Sequence, residues 1–214
     1  MRKPSISMTP EGWPSIFLAT TATIVFAVLG WCWAALAGLA VVALLVNFFR
    51  DPERFVPSEP GLAVAPADGR VIKVGPAMDP ISGEERTVVC IFMNVFNVHV
   101  NRACVTGRVS AMRYWEGKYF NASFDKASEH NERMALQLTG EEGDTWTMVQ
   151  IAGLIARRII PWAQMGDHLE RGQRYGMIKF GSRVDVYLPR DYHPAVTVGT
   201  RTAAGQTVIA TRQG

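Results

Sequence analysis

The chain has 214 residues, 48% of them hydrophobic, and a net charge of +3 at pH 7, which leaves room for one ordinary domain plus an attachment. Residues 1–49 carry only Arg2, Lys3 and Glu11, so the remainder holds +2; a balance this mild excludes a nucleic-acid binder, which needs a strong basic patch. Cys32, Cys90 and Cys104 show neither metal-ligand spacing nor a CxxC pair, so no metal site is expected, and their odd number without a framework points to a reducing compartment.

From Trp13 to Phe49 there are 37 residues without a charge. One span needs about 20 apolar residues, so the run is too long for a single comfortable helix. Gly30 and Trp31 lie near its middle, and two short helices, about 16–29 and 34–49, folded as a hairpin fit best. Arg2 and Lys3 precede the run and Arg50 and Arg54 follow it, a pattern that places both ends on the cytoplasmic side. Secretory signals have a core of only about 7–15 apolar residues and a small-residue cleavage site, unlike this run. Phe48 and Phe49 suit a membrane interface, and the arginines after them suit anionic lipid. Pro52, Pro57, Pro60 and Gly61 make a linker, so residues 1–54 read as a membrane anchor and 55–214 as a separate domain.

That domain reads as mainly β. Short strands are expected at 62–65, 70–74, 86–93 and 107–115, with a turn at Pro66-Ala67-Asp68-Gly69. Val95 to Arg102 alternates strictly and puts Val95, Asn97, His99 and Asn101 on one face. A long polar loop follows at 116–133, containing Lys118, Asn121, Asp125, Lys126, Ser128, Glu132 and Arg133; loops of this length are usually functional or mobile. A hairpin is expected around Glu141-Glu142-Gly143-Asp144, then a short element near 154–160, tight turns at 165–168 and 170–173, and strands at 195–198 and 206–211. Between the last turns and those strands, Tyr175 to Tyr187 reads strand, tight break at Gly181-Ser182, strand. Many short, regularly spaced strands suggest a sandwich or barrel. Ala65 to Val71 and Gly166 to Gln173 look like a barrel-sandwich hybrid of the biotinyl/lipoyl type, although Lys179 does not lie in that type's Met-Lys-Met carrier motif.

Three residues could carry chemistry. Asp68 is either a turn aspartate or an acid, and His99 either a structural strand histidine or a base. Ser182 is either half of an ordinary Gly-Ser turn or a nucleophile, which would need a base within reach and a third group to orient it. His130, His168 and His193 lie in polar or turn contexts and read as surface residues. By pattern alone the alternatives stay open.

Several motifs taken together resemble the short bacterial form of phosphatidylserine decarboxylase. They are Phe48-Phe49-Arg50-Asp51-Pro52-Glu53-Arg54, Pro66 to Gly69, Phe96-Asn97-Val98-His99-Val100-Asn101-Arg102, Lys118 to Ser123, Gln150 to Arg158, and Phe180-Gly181-Ser182-Arg183-Val184-Asp185. The likeness covers essentially residues 45–190. Longer members of the family have Leu-Gly-Ser-Thr at the break and an additional histidine where this chain has Phe96.

The resemblance implies that Ser182 attacks the Gly181 carbonyl, that β-elimination and loss of ammonia follow, and that residue 182 becomes a pyruvoyl group. Residues 1–181 would then be a β chain and 182–214 an α chain, a heterodimer of the protein's own pieces, with a larger homo-oligomer left open. It implies His99 as the base and proton donor and Asp68 as the residue that orients it. It further implies a Schiff base with the amine of phosphatidylserine, loss of carbon dioxide to give phosphatidylethanolamine, and no need for pyridoxal phosphate. Arg102, Lys118 and Asn121 are candidates for the lipid phosphate. The expected setting is the inner membrane, with the catalytic domain on the cytoplasmic side. Two competing readings are a decarboxylase for a related lipid such as archaetidylserine and a non-enzymatic, membrane-tethered biotinyl/lipoyl-like adaptor.

Overall fold

The computed structural model describes residues 7–123, 130–154, 158–179 and 181–212. Arg2 and Lys3, Asp125, Lys126 and Ser128 of the polar loop, residues 155–157 of one motif, and Phe180 lie outside the described residues. The chain divides into two compact units, residues 1–53 and 54–214.

The first unit is a pair of apolar helices, α1 (Trp13–Val28) and α2 (Cys32–Phe48), after a single 3-10 turn at Pro10–Gly12. Each helix starts two or three residues earlier than the sequence suggests. Pro14 explains this for α1, because proline fits the first turn, where its missing N–H has no partner to lose. Together the turn and α1 give 19 residues, long and apolar enough to cross a membrane, whereas α2 has 17. Both helices are apolar all round and expose large side chains such as Phe17, Val28, Trp33 and Leu36, the pattern of a helix whose solvent is not water. The helices pack together, with Gly38 facing Thr23, whose hydroxyl is satisfied by the Ala19 carbonyl at 2.7 Å. The two ends of the pair are laced side by side: Thr9 N–H donates to the Phe49 carbonyl (2.9 Å) and Asp51 N–H to the Ser7 carbonyl (2.8 Å). Phe48 and Phe49 are buried and meet edge to face instead of presenting their rings outward. Arg50 folds back onto the Asn47 carbonyl and side chain.

Among the described residues the second unit contains fourteen strands. In chain order they are β1 (Leu62–Val64), β2 (Gly69–Met78), β3 (Glu85–Met93), β4 (Val100–Arg102), β5 (Gly107–Trp115), β6 (Arg133–Gly140), β7 (Thr145–Ala152), β8 (Ile159–Pro161), β9 (His168–Leu169), β10 (Arg174–Ile178), β11 (Ser182–Tyr187), β12 (Tyr192–Pro194), β13 (Arg201–Thr202) and β14 (Val208–Arg212). They form a curled eight-stranded sheet, β13-β2-β3-β11-β7-β6-β5-β9, and two three-stranded sheets, β1-β14-β12 and β4-β10-β8.

Three strands depart from expectation. Residues 94–97 form a turn, so only Val100–Arg102 of the alternating stretch is strand. Asn94 and Asn97 cause this by bonding backbone N–H groups locally, Asn97 Oδ1 to Asn94 N–H and Asn94 Oδ1 to Phe96 N–H, both at 2.9 Å; such side chains compete with a ladder. β2 continues through Pro76 to Met78 because its second neighbour, β13, covers only Gly69 and Arg70. Beyond that point β2 is an edge, where proline's missing donor costs nothing. The strand expected at 195–198 is replaced by β12, which pairs with β14 a few residues earlier.

β11 runs antiparallel to both neighbours, with Ser182 opposite Met93 on one side and Ala152 on the other. Its alternate residues enter two apolar clusters. Val184 and Val186 join Ile91, Met93, Leu136, Met148 and Trp146, and Tyr187 joins Val88, Cys90, Val149 and Ile151. The centre of the sheet is covered on both sides, which is why Val88 to Met93 of β3 reads as an unbroken apolar run.

Candidate active site

Three strands of the large sheet end at one level: β3 at Met93, β7 at Ala152, and β11, which begins at Ser182. There the chain passes from the small sheet containing β10 into the large one. The crossing bends at Gly181, whose φ of +69° lies in the left-handed region that side chains resist.

Ser182 is fully buried, and its hydroxyl points at the Met93 thioether, Oγ to Sδ 3.3 Å. Thioether sulfur is a weak acceptor, so the hydroxyl is parked with little to hold it. Behind it lies a buried amide pair: Gln150 Nε2 donates to Asn101 Oδ1 at 2.8 Å, and Asn101 Nδ2 approaches the same sulfur at 3.8 Å. His99 is also fully buried. Its Nε2 accepts the Gly181 N–H at 3.3 Å, while Nδ1 lies 2.9 Å from the Asn97 carbonyl. An acceptor at Nε2 places the ring proton on Nδ1, where it is donated to Asn97. The imidazole therefore aims its lone pair at the Gly181-Ser182 segment, and the local asparagine turn fixes its orientation. On the other side, the Gly153 N–H donates to the Gly181 carbonyl at 3.1 Å.

The loop beside this site is tied in by Asn131. Its Nδ2 donates to the carbonyls of Phe120 (2.8 Å) and Ala152 (2.7 Å), and its Oδ1 accepts the Phe120 N–H (3.0 Å). The opposite face of β11 carries a buried ion pair: the Arg183 guanidinium meets Asp185 through two bonds, at 2.6 and 2.9 Å, and touches Cys90 Sγ at 3.0 Å. Burial and the Asp185 charge push the Cys90 thiol up, and burial, the largest cause, pushes Cys104 up to about 12 against the pull of local backbone hydrogen bonds. Both thiols are buried and inert, Cys90 on β3 as its sequence context suggests and Cys104 in the bend between β4 and β5 instead of on a strand.

The sequence-predicted residues separate into groups. The structure brings His99, Gly181 and Ser182 together. Asp68 belongs to another network: Arg54 meets it with two bonds, at 2.9 and 3.1 Å, and the Ala204 N–H donates to it at 2.7 Å. Among the described residues Asp68 shares no hydrogen bond with His99, whose Nδ1 is served by Asn97 instead. Arg54, assigned to lipid from the sequence, is engaged by Asp68 and by Gln206. Arg102 is buried with Nη1 on the Gly172 carbonyl, so it is no ready phosphate ligand. Lys118 and Asn121 are exposed, the latter accepting from the Ser123 N–H and hydroxyl. His130, His168 and His193 are at the surface. Met93, Gln150, Asn131 and Gly153 were not singled out from the sequence. Only Gln150 and Gly153 left a trace there, inside the Gln150 to Arg158 motif. Among the described residues no cluster of three or more His, Cys, Asp or Glu could hold a metal.

A buried serine after a glycine in the left-handed region, with an imidazole lone pair aimed at the segment, has the parts that nucleophilic, acyl-transfer chemistry needs. The sequence profile of phosphatidylserine decarboxylase matches residues 41–210. Over 98% of its length the chain is 59% identical to the phosphatidylserine decarboxylase proenzyme of Nitratidesulfovibrio vulgaris, covering 97% of that protein. It is 58% identical to the proenzyme of Oleidesulfovibrio alaskensis over its full length and 98% of the relative, and 46% identical to that of Cupriavidus metallidurans over 98% and 97%. The chain belongs to the phosphatidylserine decarboxylase family and is a decarboxylase, which sets aside the adaptor reading.

Proposed function

We propose that the chain is a precursor that cuts itself between Gly181 and Ser182, and that its cut form converts phosphatidylserine to phosphatidylethanolamine with a pyruvoyl group made from Ser182. The observation that carries this is the convergence of the His99 lone pair, the Gly153 N–H and the buried Ser182 on one glycine-serine bond. The proenzyme names of the relatives support it.

Cutting starts when the Ser182 hydroxyl swings from Met93 towards the Gly181 carbonyl carbon. His99 Nε2 takes the hydroxyl proton, as a neutral imidazole can. Oγ bonds to the carbonyl carbon, the C–N bond breaks, and the nitrogen takes the proton back, leaving an ester. Loss of the Ser182 Cα proton with breakage of Cβ–Oγ frees Gly181 as a carboxylate and leaves dehydroalanine. Water then displaces ammonia from residue 182, and no oxidant is consumed. When present, the pyruvoyl group supplies a ketone for the substrate amine and a sink for the electron pair left by carbon dioxide. In decarboxylation His99 returns a proton to the substrate carbon. Burial around Ser182, His99 and Asn101 keeps water from competing for that proton. Asp68, held by Arg54 and the Ala204 N–H, would act on His99 only indirectly, through the Arg54 network. The apolar helix pair places the domain at the bilayer holding its substrate, and the charges around it favour the cytoplasmic face.

Denaturing mass spectrometry of the purified chain tests the reading. Two pieces are expected, the smaller beginning at residue 182 and closed to Edman degradation, while Ser182→Ala gives one inactive chain. An active preparation consisting of intact, unmodified chain would refute it.

A further inference from the structure

Attack by Ser182 would place a negative charge on the Gly181 oxygen. In a buried site such a charge needs a fixed donor, and preorganised donors act at about 2.7–3.1 Å from it. The donor facing that oxygen is the Gly153 N–H, already 3.1 Å away in the uncut chain.

Two features make this amide more than a ladder bond. In a regular antiparallel pair the Gly181 N–H would return a bond to Gly153, but it donates to His99 Nε2 instead. Donor and base thus approach the same residue from its two ends. The amide is also held before any reaction, because the residue preceding it is pinned: the Ala152 carbonyl accepts from Asn131 at 2.7 Å, and the Ala152 N–H donates to the Glu132 carbonyl at 2.9 Å. A side chain at 153 is barred, since its Cβ would lie under 3.0 Å from the Gly181 oxygen and 3.0 Å from the carbonyl carbon.

We propose that the Gly153 N–H is the oxyanion donor of self-cleavage, and that the bare Cα at 153 is what lets the Gly181 oxygen come within its reach. This rests on cleavage at Gly181-Ser182. It adds a residue whose contribution is made by its backbone alone.

Three full-length chains test it: the wild type, Gly153→Ala, and a semisynthetic chain in which the amide between residues 152 and 153 is replaced by an ester, exchanging the N–H for an oxygen without adding bulk. Cutting is followed by denaturing mass spectrometry and folding by thermal unfolding. The ester-linked chain should fold and cut about 10²–10³-fold more slowly, the usual cost of one lost oxyanion donor. Gly153→Ala should remain intact and resist hydroxylamine, which would split an accumulated Gly181-Ser182 ester. An ester-linked chain that cuts as fast as the wild type overturns the proposal, as does a Gly153→Ala chain that hydroxylamine cleaves. If Gly153→Ala does not fold, the ester-linked chain decides alone. A wild type never cut at 181–182 would instead defeat the cleavage reading itself, an outcome distinct from a normally cut wild type beside a normally cut ester-linked chain.

Discussion

The two faces of β11 are both buried, yet they are held in opposite ways. On one face Ser182 rests against a thioether, a weak acceptor that lets go cheaply. On the other, Arg183 and Asp185 are locked by two charge-assisted bonds with side chains only 3% and 1% exposed. Burial works most strongly against the charge on Arg183, but the Asp185 and Cys90 interactions and the hydrogen bonds to both together outweigh it, so the guanidinium holds its proton more firmly than usual. The difference teaches how one strand can be both reactant and scaffold. Its first residue must move by a bond rotation while the next may not move at all, and alternation sends the two requirements to different sides of the sheet.

The steepest way to test the reactive face is His99→Gln, which keeps a donor for Asn97 but removes the base. Self-cleavage should slow by about 10²–10⁴-fold, the span of general-base contributions, as read by the fraction of cut chain over time. Undiminished cutting would remove His99 from the reaction. The locked face is broken by Asp185→Asn, which strands a buried guanidinium and should cost about 3–5 kcal/mol. That cost is best measured by denaturant unfolding in the Ser182→Ala background, where every molecule is intact. An unchanged midpoint would show that the pair does not anchor the strand. Whether the reactive face extends to Asp68 is decided by Asp68→Asn beside Arg54→Met. Asp68→Asn should slow cutting by about tenfold or more, a loss on the order of 1.4 kcal/mol, with Arg54→Met having the milder effect. Equal losses would mean that the carboxylate acts only through its ion pair. The smallest effect belongs to Met93→Leu, a volume-conserving change costing less than about 1.5 kcal/mol. It should leave stability nearly intact and change the cutting rate only a few-fold. A deep loss would show that the thioether positions Ser182 for attack rather than merely parking it.

Much of this was legible in the residues. The hairpin of β6 and β7 follows from its Glu-Glu-Gly-Asp turn between apolar runs, and the break before Ser182 from a glycine between two strands. The apolar stretch from Trp13 to Phe49 announced two helices by length alone. What stayed hidden depends on contacts distant in sequence. Asp68 looked free to serve His99, but Arg54 and the Ala204 amide hold it in the folded chain. Arg102 looked like a phosphate ligand because its burial beside Gly172 cannot be read from a strand pattern. The turn at 94–97 was obscured because alternation says nothing about asparagine side chains that bond their own backbone. Gly153 carries no signal except its type, and only the approach of Gly181 gives that type a meaning.

The placement of β11 also decides what a cut at its head would do. Residues 182–212 contribute β11, β12, β13 and β14; β12 pairs with β14, and the remaining partners, β3 and β7 for β11, β2 for β13 and β1 for β14, lie before residue 182. Two sheets are therefore woven from both pieces, and parting them would mean tearing those ladders apart. Dilution should not inactivate the cut protein, and two differently labelled populations should exchange small pieces no faster than the whole domain unfolds. A broken backbone would thus leave a molecule that diffuses, binds and ages as though it were still one thread.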